Sequence, residues 1–169
     1  MKGSIKLLGH SVHPILIVFP LGLLATGVIF DAIYLIGGNG KFSSVAYWMI
    51  ASGIIGGIAA AAFGWLDWFA IPSDTRAKTV GLIHGSANAT ALLVFAASWW
   101  LRYGTETDPP MTAHVLSFLG AGLALVGGWL GGELVERMGV SVHEGANLNA
   151  PSSLSTESPI AVEKVYAEK

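Results

Sequence analysis

A small set of side chains in an otherwise apolar chain has the chemistry to form a site: His10, His13, Asp67, His84, Asn88 and Glu133. Ionisable groups inside apolar spans are costly and are functional candidates by default. His10 and His13 stand at the mouth of a long apolar run, HSVHPILIVFPLGLL. Asn88 follows His84 by four residues, which places both on one side of a helix. Arg137 follows Glu133 at the same spacing, which permits a local ion pair. Four chemical readings are open. His13 and His84 could be the two imidazole ligands of a haem b, which needs no covalent attachment motif, with Asp67 or Glu133 holding a ring N–H. The same residue types suit a divalent metal. They also suit a proton or quinone site, since histidine titrates near neutral pH. Finally, they could be a hydrogen-bonded polar cap on a packed bundle, with His13 capping the first helix and Asp67 paired with Arg76 or Lys78.

These residues converge only if particular elements carry them. Four apolar segments, about 14–36, 45–68, 80–101 and 112–135, are each long enough to cross a bilayer core as a helix of about 20 residues. Barrel strands would be half this length and alternating. Pro14 suits the first turn of a helix, where its missing N–H costs nothing. Short connections predict antiparallel neighbours, so the expected fold is all-α, a four-transmembrane-helix up-down bundle. His10, His13, Asp67, His84 and Glu133 then share one end. The other end holds Asp31, Tyr34 and His114, for which a structural Asp31–His114 pair is expected. The two-histidine-per-helix spacing of a second haem is missing, and His143 lies beyond the last helix, where solvation is expected.

Lys2, Lys6, Arg76, Lys78 and Arg137 fall on the end with the N-terminus, and Lys41 and Arg102 on the other. The positive-inside rule then predicts cytoplasmic termini. Gly53, Gly57 and Ala61, and Gly120, Ala124, Gly128 and Gly132, recur at steps of four. Such stripes let helix backbones approach closely, which is how membrane helices pack. No sequence repeat is evident. The expected domains are a transmembrane domain, 1–138, and a mostly disordered polar tail, 139–169, rich in Ser, Pro, Asn and Glu.

Composition agrees with a membrane protein. Of the 169 residues 53% are hydrophobic and 12% charged, against roughly 25% charged in soluble domains. Mean hydropathy is +0.61. A net charge of −2 offers no basic face for nucleic acid, and the absence of cysteine excludes disulfides, iron–sulfur ligation by this chain and thiol nucleophiles. The first apolar run is too long for a signal peptide and lacks a clean cleavage site, so a retained span is expected. No nucleophile elbow, phosphate loop or H-E-x-x-H motif is present, and no catalytic activity of the chain on its own is expected.

HPILIVFPLGLL in the first segment, GWLDWFAIP closing the second, HGSAN in the third and GGELVERMGV closing the fourth resemble a bacterial membrane family known as domain of unknown function 2231. The resemblance covers about residues 8–143. It implies a four-helix inner-membrane domain, and its motif positions fall on His13, His84, Asp67, Gly131, Gly132 and Glu133. Some relatives are joined to Rieske-type iron–sulfur domains, which implies electron transfer near the membrane. This chain lacks any Cys-His iron–sulfur motif and would need a separate redox partner. The expectation is therefore an integral inner-membrane protein in the lipid bilayer, a redox-associated subunit binding haem b through His13 and His84. The alternative is a non-catalytic scaffold or a small ion or metal permease.

Overall fold

The computed structural model describes residues 5–156. Strands β1 (Lys6–Leu7) and β2 (His10–Ser11) form a small antiparallel hairpin. Its turn residues Leu8 and Gly9 both have positive φ, 49° and 84°, the backbone that two-residue hairpins favour. Helix α1 (Val12–Leu16) is separated by Ile17 from α2 (Val18–Gly37). The break has a local cause. Pro20 has no N–H to give the Leu16 carbonyl four residues back, and its ring crowds that carbonyl. Gly38, at φ 69°, ends α2 in the left-handed conformation that glycine adopts without strain.

Helix α3 (Gly40–Phe69) starts at Asn39, whose side chain accepts the Lys41 N–H. Helix α4 (Arg76–Leu101) starts at Thr75, which accepts the Lys78 N–H; both are ordinary N-caps. Helix α5 (Met111–Gly132) runs on into a π turn over Glu133–Arg137. Four spans result, Val12–Gly37, Gly40–Phe69, Arg76–Leu101 and Met111–Arg137, of 26, 30, 26 and 27 residues. At 1.5 Å per residue each is longer than a hydrocarbon core of about 30 Å, so both ends of the bundle reach the headgroup layer. The helices extend a few residues beyond the expected limits, because cap residues and the π turn are polar and escape a hydropathy reading. Large apolar side chains such as Phe19, Ile55, Leu93 and Trp129 point outward, as a lipid-facing surface requires. Residues 139–156 contain no helix and run in turns back over the β-hairpin, where Ser153 Oγ donates to the Leu8 carbonyl (3.0 Å). The part of the expected tail at 157–169 lies outside the described residues.

The two helical hairpins, α2–α3 and α4–α5, repeat each other. Buried Pro20, Leu24, Gly27 and Asp31 correspond to buried Ala91, Phe95, Ser98 and Arg102, a shift of 71 residues, the spacing of Asp31 and Arg102. Ala46, Tyr47, Gly53 and Ala60 on α3 correspond to Ala113, His114, Gly120 and Gly127 on α5, at a shift of 67 residues because four fewer residues separate Arg102 from Ala113 than Asp31 from Ala46. The contacts repeat too: a Cβ on Gly53 would meet Leu24, and one on Gly120 would meet Phe95. The sequence by itself carries no repeat strong enough to reveal this. Few of the paired residues are identical, so the duplication is carried by burial and contact. Both hairpins begin at the same end of the bundle, which makes them parallel repeats related about the membrane normal. Leu24, Ile50 and Phe95 form the central core, with Val28, Ile54 and Leu92 around it.

Candidate functional site

His13 and His84 are counterparts under the repeat, and the bundle brings them together. Their ring centroids are 6.3 Å apart and their planes are perpendicular, at 88°. His13 Nδ1 lies 2.8 Å from the Ala60 carbonyl on α3. His84 Nδ1 lies 2.8 Å from the Gly127 carbonyl on α5. A carbonyl only accepts, so each Nδ1 carries the proton and each Nε2 presents its lone pair. Among the described residues neither Nε2 has a hydrogen-bond partner. One turn further along each helix a glycine makes room for the ring. A Cβ on Gly64 would lie 2.9 Å from His13 Cε1, and one on Gly131 3.1 Å from His84 Cε1. These two glycines lie beside the expected stripes, of which Gly53, Gly57 and Gly120 pack closely against neighbouring side chains while nothing lies within 4 Å of a Cβ at Gly128 or Gly132.

The supporting residues divide. Asn88 joins the site: its Nδ2 donates to the His84 carbonyl (2.9 Å) and sits 3.3 Å from His84 Nδ1. Gly127 is glycine at this contact, since a Cβ there would fall 2.5 Å from the Asn88 side chain. Glu133 turns to Arg76 at 3.6 Å, a cross-helix pair in place of the expected local one with Arg137. Lys78 caps a helix end. Its Nζ donates to the Trp68 carbonyl (2.8 Å) and lies 3.9 Å from the centre of the Trp68 ring, capping the end of α3. Asp67 is buried at this same end. His10 stays outside the cluster, exposed, its Nδ1 donating to the Leu8 carbonyl at 3.1 Å. Among the described residues no group of three or more His, Cys, Asp or Glu side chains is placed to hold a metal ion.

A second polar layer lies at the opposite end, and sequence reasoning missed its main residue. Arg102 is fully buried and grips Asp31 with two hydrogen bonds, Nη1 to Oδ1 at 2.6 Å and Nη2 to Oδ2 at 2.7 Å. Ser117 Oγ donates to Asp31 Oδ2 at 2.6 Å, and Ser98 Oγ to the Ala113 carbonyl at 2.6 Å. His114, the expected partner of Asp31, keeps its Nε2 3.9 Å from Oδ1. It stacks instead on Tyr34, at 5.3 Å between centroids, and Tyr34 donates to Asp108 at 2.7 Å. Arginine outcompetes histidine because its planar fork fits a carboxylate through two parallel bonds. The available signal was spacing: Asp31 and Arg102 each follow a site histidine, His13 and His84, by the same interval.

Fold and site together define an integral membrane protein, a four-helix bundle with one polar layer near each end and an apolar core between them. The chain belongs to the family described as Predicted membrane protein (DUF2231), whose family model matches residues 9–144. No curated protein and no solved structure matches the chain.

Proposed function

We propose that the protein is a redox-associated subunit of the bacterial inner membrane, in which His13 and His84 would hold a haem b. The observation that carries the reading is the paired imidazole geometry. The two rings come from different helices and lie 6.3 Å apart between centroids. Each ring is also held by an Nδ1–H···O=C bond, the arrangement that fixes the tautomer of a ligating histidine. A bare divalent ion asks the protein for about four donors, and the described residues supply no cluster of three. Haem brings four nitrogens of its own and asks for two. When bound it would supply one-electron transfer. The chain's own part is to hold, orient and enclose: Ala60 and Gly127 orient the rings, Gly64 and Gly131 admit them, and Asn88 packs beside His84. Having no cysteine, the chain would exchange electrons with a separate iron–sulfur or other redox protein.

Two observations support the accompanying expectations. With Arg102 neutralised inside the bundle, Lys41 is the cation left exposed at the far end, which strengthens the charge asymmetry behind cytoplasmic termini. The Leu24–Ile50–Phe95 core separates the polar layers, which weighs against a permease. The test is a reduced-minus-oxidised visible spectrum of purified protein beside His13→Ala and His84→Ala. A b-type α band in wild type, lost in both variants, is expected. A featureless wild-type spectrum after haem supplementation overturns the reading and leaves a scaffold with a polar end-cap.

A further inference from the structure

The turns after α5 fold over the β-hairpin and enclose a cleft of about 890 Å³ at the histidine end of the bundle. This is within the size range of small-molecule sites. Its rim carries Lys6, His10 and His143, and its floor is apolar, formed by Pro14, Ile15 and Val135 from the ends of two spans. Among the described residues no carboxylate lines it; Glu136 and Glu144 are sequence neighbours of lining residues and stay out of the lining. His143 Nδ1 accepts the Gly145 N–H at 3.1 Å, which puts the proton on Nε2 and makes that atom a donor even in the neutral ring. Ser11, also in the lining, is 8% exposed, and its hydroxyl has no partner among the described residues. The described rim residues are donors and cations, which select an anion. An apolar floor continuous with the spans selects one carried on an apolar body.

We propose that this cleft binds a phosphate group at the membrane surface, with Lys6 and His143 as its principal donors. Phospholipid headgroups and free phosphate share this chemistry, and the apolar floor favours the lipid. The proposal does not depend on a haem at His13 and His84. The turns close over the hairpin through the Ser153–Leu8 bond and a close approach at Gly9, where a Cβ would lie 2.8 Å from Ser153 Cβ, at a φ of 84° that other residues rarely adopt.

The test uses the full chain, purified and stripped of lipid, with native mass spectrometry of phosphatidylglycerol and phosphatidylcholine adducts and calorimetry with sodium phosphate. A basic residue at a membrane surface is worth roughly fivefold in affinity for an anionic lipid, and a preference of at least that size for phosphatidylglycerol is expected. Lys6→Gln with His143→Gln should bring the two lipids to parity. Both side chains are exposed, so folding is not at stake. Gly9→Ala, which pushes Ser153 away without removing a donor, should lower the preference as well. Saturable phosphate binding lost in the double variant, without lipid preference, would support the anion site and assign it to a soluble phosphate. Binding of neither, or a lipid preference unchanged in the double variant, overturns the proposal.

Discussion

Asp31 and Arg102 meet through two parallel hydrogen bonds of 2.6 and 2.7 Å, with no surface of either side chain exposed. They join α2 to the end of α4, helices that lie diagonally in the bundle. Removing one partner strands the other as an unpaired buried charge, which costs about 3–5 kcal/mol. Arg102→Leu and Asp31→Leu should therefore each unfold far more easily than wild type in a detergent titration. The double variant buries no charge, so it should lose less than either single change. A double variant whose loss equals the sum of the singles would show that the two residues are not coupled.

Gly64 and Gly131 test the ring pockets without touching the imidazoles. An alanine at 64 brings a methyl to 2.9 Å from His13 Cε1 and 3.0 Å from its Nδ1; at 131 the nearest approach to His84 is 3.1 Å. Overpacking of this kind costs about 1–3 kcal/mol. Gly64→Ala should be the more damaging of the two and should perturb any spectrum owed to the histidine pair. Gly22 is the control: nothing lies within 4 Å of a Cβ there, and alanine favours a helix by up to about 1 kcal/mol. Thermal unfolding should rank Gly22→Ala at or above wild type, then Gly131→Ala, then Gly64→Ala. Equal losses at all three would remove the ring pockets as the cause.

The four spans were legible because a bilayer demands long apolar runs, and the depth of His13 and His84 followed from counting residues. Helix rotation was not legible. Depth places His10, Asp67 and Glu133 beside the histidine pair, but rotation sends Glu133 to Arg76, and the β-hairpin leaves His10 exposed on its strand. Arg102 was the clearest failure. As the first charge after an apolar run it reads as a surface cation, and only knowing that Asp31 is its counterpart turns it inward. The repeat escaped for a related reason. Its pairs, Leu24 with Phe95 and Pro20 with Ala91, conserve position and burial while changing residue, so identity is a poor guide to them.

Glu106 gives a pH prediction outside the spans. Its own backbone N–H and that of Gly104 donate to the carboxylate, the latter at 2.9 Å. These bonds favour the charged form and hold the carboxyl below the ordinary glutamate value. The sign follows: the turn around Gly104 is favoured above the free glutamate range, and that preference is lost as pH falls through the lowered value. An NMR titration should find the Glu106 carboxyl shift moving at lower pH in the native protein than in the urea-unfolded chain, where the two bonds are lost. Identical midpoints in the two states would refute the assignment.

His114 is the sharpest case of a polar residue whose polarity the ground-state structure does not use. It is 1% exposed, and neither ring nitrogen has a hydrogen-bond partner among the described residues. What it does use is its flat face, stacked on Tyr34 at an interplanar angle of 11°. Its counterpart in the first hairpin, Tyr47, also stacks, on Trp99 at 5.5 Å, so this position accepts a six-membered ring. Asp31 keeps its two bonds to Arg102 and one to Ser117 whatever stands at 114. Replacing an unbonded buried polar group by an apolar one of similar shape is neutral or stabilising. His114→Phe should therefore match or exceed wild-type thermal stability, while His114→Ala should lose about 2–4 kcal/mol to the cavity beside Tyr34. A phenylalanine variant as unstable as the alanine one would mean that the imidazole nitrogens act on Asp31 across the 3.9 Å gap, and that this layer holds a working charge rather than a lock.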